Sequence, residues 1–303
     1  MTGRSDGAAR DGRRDASARG DRTEARTSAG RPEESAAADR PGRADLHIHS
    51  AASDGVAGID TILRHVETAT DLDVIAITDH ERIDAALAAR EMATGRGYRV
   101  EVIVGEEITT RSGHLLGLFL SQPIAPLHSM RWSVAAIHEQ GGLAIPAHAL
   151  VPIPMSASRR SLLALIEDAD PAVHIDGLEV FNPTTVGRRW HPRRVAFAAQ
   201  HGLAALGNSD AHLPSHIGQA TTRFEGRAAA DLRRAIEART TTWDGAFYPP
   251  MAQVGMFGHQ VRKYARDVRD EVRGKLLRDG TGRDLGYPGG RRRPARYEGD
   301  TRP

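Results

Sequence analysis

The amino-acid sequence predicts an α/β fold in which mostly parallel strands close into a barrel. From residue 44 onward short apolar runs alternate with helical patterns, and roughly seven such repeats in about 200 residues favour a closed barrel. Several strands end in His, Asp or Glu, as expected where one site is built on the carboxyl-terminal rim of a barrel. An open, doubly wound sheet is the alternative, but no Gly-x-Gly-x-x-Gly follows the first strand and no Gly-x-x-x-x-Gly-Lys is present.

The predicted elements follow one another along the chain. In the first helix Ile59, Ile62, Leu63 and Val66 recur at three- and four-residue steps, which is typical of a buried helical stripe. Strands are predicted at 44–48, 73–78, 100–104, 114–120, 143–147, 177–181, 204–207 and 219–222. Helices are predicted at 59–70, 83–94, 133–140, 160–168, 193–201 and 228–239.

Composition limits the class of protein and the kind of metal site. The chain has 303 residues, of which 40% are hydrophobic, enough for one large domain with a buried core. It contains no cysteine, so disulfides and thiolate sites are excluded and any metal must bind to imidazole and carboxylate groups. No apolar run reaches the length of a membrane span, and the N-terminus lacks a signal-peptide core. We therefore expect a soluble, cytoplasmic protein with no membrane partner.

Composition also divides the chain. Residues 1–43 contain few large apolar side chains and are expected to be disordered. Residues 44–257 form the predicted catalytic body, which carries more acidic than basic side chains. Residues 258–278 have the three- and four-residue apolar spacing of an amphipathic helix, and residues 279–303 are expected to be a flexible basic tail. The helix is expected to pack on the barrel or on a partner subunit, because its polar face mixes both signs of charge.

The first strand ends in a His-x-His pattern. Alternate side chains of a strand share one face, so His47 and His49 point the same way and can hold one cation together. Asp54 follows beyond a turn of small residues that can fold it back toward them. Other apolar runs end in the same kinds of residue, namely Asp79 and His80, Glu106 and Glu107, His148, and Asp210 and His212. The shared arrangement predicts a single metal centre.

These segments resemble the PHP superfamily, named for polymerase and histidinol phosphatase domains. The resemblance covers residues 44–245 and includes His-x-His at 47–49, Ser-Asp-Gly at 53–55, Thr-Asp-His at 78–80, Gly-Glu-Glu-Ile at 105–108, Gly-His at 113–114, Ala-His at 147–148 and Asn-Ser-Asp-Ala-His at 208–212. It implies a distorted (β/α)7 barrel of the PHP type, with two to three divalent ions at the carboxyl ends of the strands.

The resemblance also implies a ligand set. One ion takes His47, His49, Glu106 and Asp210; a second shares Glu106 and adds His114 and His148; a third takes Asp54, His80 and His212. Strand alternation sends Glu106 and Glu107 to opposite faces, and the position in the motif favours Glu106 as the ligand. His114, beside two leucines, has the alternative of being a buried core residue. Mn, Zn and Fe all suit nitrogen and oxygen ligands, and the sequence does not choose between them.

Further residues are candidates for supporting roles. Asp79 is expected to orient a ligating histidine through a hydrogen bond. Arg111, Arg188 and Arg189 are candidates for binding the substrate phosphate, which needs arginine or backbone donors besides metals. The interval between the His80 and His148 motifs leaves no room for the substrate-covering domain that nucleotide-cleaving members of the family commonly insert there. Covering the substrate is therefore expected of the loops at 151–159 and 183–192.

The implied activity is that of a metal-dependent phosphoric ester hydrolase, in which a metal-bridging hydroxide attacks phosphorus and the cations neutralise the phosphate oxygens. The favoured substrate is a small phosphomonoester, with nucleotide-derived compounds included. One alternative is a nuclease acting on oligonucleotides, with the basic segment 258–303 as a nucleic-acid arm, although nucleic acid is not the favoured partner. Another alternative is a non-catalytic regulatory module, which the complete ligand set argues against.

Overall fold

The strands and helices of the computed structural model lie within residues 40–153 and 155–249, which are the residues that the structure describes. The strands are β1 (Gly42–Ile48), β2 (Val74–Ile77), β3 (Glu101–Thr110), β4 (Gly113–Leu118), β5 (Leu143–Pro146), β6 (Gly177–Phe181), β7 (Ala204–Gly207), β8 (Ala220–Phe224) and β9 (Thr242–Gly245). The helices are α1 (Ile59–Ala69), α2 (Asp84–Gly95), α3 (Met130–Glu139), α4 (Arg159–Ile166), α5 (Thr185–Arg188), α6 (His191–His201) and α7 (Ala229–Glu237).

Within the described residues, seven strands form one sheet in the order β5-β4-β3-β2-β1-β8-β9. Strands β1, β2 and β3 are parallel, whereas β4 is antiparallel to both β3 and β5. Strands β6 and β7 form a separate parallel pair. The mixed α/β class predicted from the sequence is confirmed, with antiparallel strands as the departure from an ideal barrel.

Hydrogen bonds join the chain before β6 and after β7 to strands β5 and β1 of the larger sheet. Beyond β7, the Ala211 amide donates to the His47 carbonyl at 3.1 Å, and the His49 amide donates to the Ala211 carbonyl at 2.9 Å. Before β6, the Asp176 amide donates to the Ala144 carbonyl of β5 at 3.0 Å. These links curl the strands into the distorted barrel that the resemblance implies.

The apolar core has two layers. One layer packs between the sheet and the outer helices and includes Ile62, Leu63 and Val66 of α1, as the spacing in that helix predicts. The other layer, which includes Leu46 and Leu206, forms from strand residues and from the buried face of α7. Strand β2 is apolar and buried throughout, which is typical of a parallel strand covered on both faces.

Some boundaries differ from the prediction. Strand β1 begins at Gly42, inside the segment predicted to be disordered, because the backbone there pairs with β8 regardless of side-chain polarity. Strand β3 continues to Thr110 rather than ending at residue 104, and β9 and α5 were not predicted. The remaining N-terminal segment, the predicted helix at 258–278 and the predicted tail at 279–303 lie outside the described residues. In the described part of the chain, no helix is long and apolar enough to cross a membrane.

A side chain on β8 bridges to the neighbouring strand β7, which suggests a test of barrel closure. The Thr222 hydroxyl accepts from the Gly207 amide at 3.1 Å and donates to the Gly207 carbonyl at 3.0 Å. Thr222→Val keeps the shape but removes both of these hydrogen bonds from a buried part of the protein, so we expect it to lower the free energy of unfolding by about 1–3 kcal/mol. Thr242→Val, on the exposed part of β9, should change it by less than about 0.5 kcal/mol. Urea denaturation of both variants measures the difference, and equal stabilities would contradict this role for Thr222.

Candidate metal centre

The predicted ligands other than Glu106 come together with Glu107 at one rim of the strands. His47 and His49 lie at the end of β1, Glu107 lies in β3 and His114 in β4. His80, His148, Asp210 and His212 follow β2, β5 and β7 within a few residues. Because parallel strands end at the same rim, residues distant in the sequence become neighbours there.

Glu107 lies at the middle of this cluster. Its Oε2 is 3.2 Å from the Nε2 atoms of both His47 and His49, and 3.5 Å from His80 Nδ1. Its Oε1 is 2.7 Å from His114 Nδ1 and 3.0 Å from His148 Nε2. One fully buried carboxylate therefore contacts histidines from several separate strand ends.

Two aspartates complete the cluster. Asp210 Oδ1 is 3.5 Å from His47 Nε2 and 3.4 Å from His49 Nε2. Asp54 Oδ2 is 3.0 Å from His212 Nε2, and its Oδ1 is 3.3 Å from His49 Nδ1. The Asp54 side chain is 34% exposed whereas those of His47 and His49 are fully buried, so Asp54 lies toward the open side of the cluster.

Several groups of side chains are spaced closely enough to share an ion. In four sets among the described residues the ligand atoms all lie within 4.8 Å of one another: His47, His49 and Asp210; His47, Glu107 and His148; His49, Asp54 and His212; His49, His80 and Glu107. The sets overlap, since His49 belongs to three of them. Overlapping sets are the arrangement expected of a centre that holds more than one ion.

The buried nitrogen atoms provide a test of whether metals fit. His47 Nε2, both ring nitrogens of His49 and His114 Nδ1 are buried, and none has a hydrogen-bond partner within the described residues. Each nevertheless lies within 3.5 Å of a carboxylate oxygen. Buried polar atoms without partners are costly, and an ion between imidazole and carboxylate groups would satisfy them. The residues therefore fit divalent metals, while ligation itself stays a prediction.

The electrostatics of the cluster are strongly coupled. Burial would raise the pKa of Glu107, but the neighbouring His47 and His80 hold it well below its usual range. Burial would likewise lower the pKa of His49, but the nearby carboxylates of Asp210 and Glu107 raise it to about 10. Without metal, the carboxylates are therefore ionised and His49 is protonated at neutral pH.

The structure places Glu107, and not the predicted shared ligand Glu106, in the cluster, and metal ligation by either glutamate stays a prediction. Glu106 shares its face of β3 with Val104, which packs in the layer under the outer helices. Its Oε2 accepts a hydrogen bond from the Ile124 amide at 2.8 Å, and burial raises its pKa to about 8. Strand β3 is buried on both faces around these residues, so apolar patterning could not show which face meets the cluster.

Asp79 has a different partner from the one predicted. Its carboxylate accepts hydrogen bonds from the Ser50 amide at 2.7 Å, from the Ser50 hydroxyl at 2.6 Å and from the Ser53 hydroxyl. Asp79 therefore holds the loop between His49 and Asp54, and orients a ligating histidine only through that loop. The hydroxyls of Ser50 and Ser53 are the sequence signal for this role.

Glu179 is a component of the site that the sequence analysis missed. It is fully buried in β6, and its Oε1 lies 3.0 Å from His47 Nδ1. It also accepts from the His148 amide at 2.7 Å and from Asn208 Nδ2 at 3.1 Å. The sequence signal for Glu179 was a single carboxylate within the apolar run at 177–181. Its position is that of an outer partner that holds the ring of His47.

The predicted phosphate-binding arginines lie outside the cluster. Arg111 is exposed, and its Nε donates to the Leu127 carbonyl at 2.8 Å. The Arg188 guanidinium lies 5.4 Å from the Phe247 ring centroid, and that of Arg189 lies 5.5 Å from the Trp190 ring centroid. Among the described residues, none of the three forms an ion pair or hydrogen bond with a residue of the metal cluster.

Comparisons with known proteins agree with this geometry. A family model described as PHP-associated matches residues 188–241. An uncharacterized protein of Methanocaldococcus jannaschii is 36% identical in an alignment of 151 positions that covers 46% of this chain and 81% of that protein. A 5'-3' exoribonuclease of Haemophilus influenzae is 27% identical in an alignment of 233 positions that covers 74% of each chain.

A solved structure shows the same fold. It is a two-domain protein of Bacteroides vulgatus that contains a predicted PHP-like metal-dependent phosphoesterase. The TM-score is 0.55 at 22% identity, covering 68% of this chain and 65% of that one. This chain therefore spans slightly less than two thirds of that protein.

The adjacent glutamates of β3 provide a matched pair for testing metal binding. Glu107→Gln removes the charge that the histidines share, so we expect metal content and the metal-induced rise in melting temperature to fall sharply. Glu106→Gln should retain both, because Glu106 with a pKa of about 8 is already mostly protonated at neutral pH. Elemental analysis after incubation with Mn²⁺ or Zn²⁺ measures the content. Loss of metal in Glu106→Gln alone would contradict the observed register.

The coupled charges predict that the stability of the metal-free chain falls as pH rises, whereas the stability added by metal increases. In the metal-free chain, the raised pKa of His49 contributes stability that is fully present below about 6.5 and is lost as pH rises toward about 10. Metal binding requires neutral imidazole, so the stability that metal adds should grow between about pH 6 and about pH 8. Thermal melts with Mn²⁺ and with chelator measure both trends, and a metal-induced shift that grows toward acid pH would contradict the assignment.

Proposed function

Because the chain belongs to the PHP superfamily, we propose that its candidate metal centre hydrolyses a phosphate ester. The observation that carries the proposal is the buried Glu107 carboxylate, which contacts histidines from several strand ends within one cluster. Such a cluster suits two to three divalent ions, with Mn, Zn and Fe as the candidates for nitrogen and oxygen ligands. The proposed enzyme is a metal-dependent phosphoric ester hydrolase.

The protein side chains supply position and charge. Divalent ions held in such a site lower the pKa of bound water and neutralise charge on phosphate oxygens. Glu107 and Asp210 supply the negative charge that holds the ions, and Glu179 fixes the ring of His47. The side chains of Asp54 and His80 are 34% and 28% exposed, so the substrate phosphate is proposed to enter from their side. Nothing in this arrangement requires a protein nucleophile.

The first candidate substrate is a small phosphomonoester, with nucleotide-derived compounds included. The second is a phosphodiester within an RNA strand, favoured by the similarity to the Haemophilus influenzae exoribonuclease over 74% of both chains. Both substrates would place a phosphate group in the same cluster, so the residues of the metal centre favour neither substrate over the other. A non-catalytic module is less well supported, because each predicted ligand other than Glu106 lies in the cluster, where Glu107 takes the place of Glu106.

Activity of the purified, Mn²⁺-loaded protein tests the proposal. We expect hydrolysis of at least one member of a panel of phosphomonoesters, phosphodiesters and oligonucleotides, with loss of activity on chelation. Changing an outer partner of a metal ligand typically reduces the rate about 10- to 100-fold. Asp210→Asn should reduce it by more than that. Asp84→Asn, at an exposed carboxylate 2.6 Å from Arg82, is the matched control and should keep the rate. A panel that stays intact with Mn²⁺, Zn²⁺ and Fe²⁺ would overturn the proposal.

A further inference from the structure

One groove on the surface collects arginines that have no acidic partner. Over much of the described surface, arginines pair with carboxylates, as Arg82, Arg96, Arg131, Arg223 and Arg234 do. Arg159, Arg189 and Arg193 instead line a groove of about 970 Å³, and none of them forms an ion pair within the described residues. No acidic side chain of the described residues lines this groove. The groove therefore carries several positive charges that no acidic side chain of its lining neutralises.

The groove lies beside the candidate metal centre. One wall contains Leu150, two residues beyond His148, and Ser156, whose hydroxyl donates to the His148 carbonyl at 3.0 Å. The other wall is formed by α6 and by Arg189 and Trp190, which precede it. The walls include residues of the segments 151–159 and 183–192, which the sequence analysis expected to cover the substrate, and one wall extends along α6 as far as Gln200. The groove therefore lies next to the backbone segment that carries His148.

Flat side chains line the groove together with the charges. Trp190 and Phe197 are lining residues, and the Arg159 guanidinium lies 6.0 Å from the Phe197 ring centroid. The Arg189 guanidinium lies similarly over Trp190. Aromatic rings and guanidinium planes stack on unpaired nucleic-acid bases, and arginines without acidic partners bind phosphates. A small phosphomonoester in the centre would leave most of these groups unused.

We propose that this groove binds a single strand of phosphodiester-linked nucleotides whose reacting phosphate ester lies in the metal centre. Arg159 and Arg193 contact the phosphates of the strand, and Trp190 stacks on a base. The inference rests on the proposed function and selects an oligonucleotide as the substrate. A duplex keeps its bases stacked on each other, so it cannot use Trp190 in this way.

Binding measurements on the metal-loaded protein test the role of the arginines. The probe is a fluorescein-labelled single-stranded RNA of about ten nucleotides with phosphorothioate linkages that slow cleavage, followed by anisotropy at increasing salt. Changing Arg159 and Arg193 together to Ala should reduce the slope of log affinity against log salt by about 1.4, at about 0.7 for each phosphate contact. Arg160→Ala is the matched control, because Arg160 is exposed in the same helix but does not line the groove. Equal slopes for the double variant and for Arg160→Ala would overturn the inference.

Trp190 provides an independent test of base stacking. Trp190→Ala should weaken binding of the single strand about tenfold, and Trp190→Phe should retain most of the affinity. A DNA strand of the same sequence that binds equally well supports recognition through phosphates and bases. A duplex that binds as tightly as the single strand would overturn the inference.

Turnover separates failure of this inference from failure of the proposed function. The ratio of kcat/KM for the oligonucleotide to kcat/KM for p-nitrophenyl phosphate should fall about tenfold or more in the Arg159 and Arg193 double variant, relative to Arg160→Ala. An unchanged ratio contradicts the groove while leaving the phosphoesterase in place. If the wild-type protein hydrolyses another phosphomonoester of the panel but not the oligonucleotide, only the groove inference is wrong. If it hydrolyses no member of the panel, the proposed function itself is wrong.

Discussion

The structure depends on one buried carboxylate, Glu107, that several histidines share. Burying this much ionisable surface is costly unless every charge has a partner. The Glu107 carboxylate has charged partners only because β1, β2, β4 and β5 bring their histidines to the same place. The curvature of the sheet therefore determines which side chains can meet in the cluster. Asp79 and Glu179 extend the constraint outward, since one holds the loop after His49 and the other holds the ring of His47.

The same arrangement explains why the site divides into a closed and an open part. His47 and His49 are surrounded by protein, whereas Asp54 and His80 meet solvent. The closed part contains the shared carboxylate of Glu107, and the substrate is proposed to approach from the open part. The arginine groove begins near His148, so the proposed strand-binding surface and the cluster share one segment of backbone. We therefore expect the loops to select the substrate and the residues at the strand ends to carry the chemistry.

Much of this site could be predicted from the sequence, because the candidate histidines lie in or near recognisable strands and the rim of a barrel brings such residues together. The choice between Glu106 and Glu107 could not, since β3 is buried on both faces and its charged pair interrupts the apolar pattern. Glu179 was missed because its partners come from three other segments of the chain. The amino-terminal boundary was misjudged at Gly42, where backbone pairing forms a strand that its side chains do not predict.

The pairing of β1 has a consequence for how the protein handles its ions. Its first residues pair with β8, and its last residues pair with the segment around Ala211, so both ends of the strand that carries the His-x-His pattern are fixed by neighbours. The ligands are thus preorganised, and binding an ion requires little ordering of the chain. We therefore expect the barrel to stay folded when an ion is lost, so that metal exchange would not require refolding. In a cell, the occupying element would then follow supply, and the same polypeptide could change its metal when availability changes.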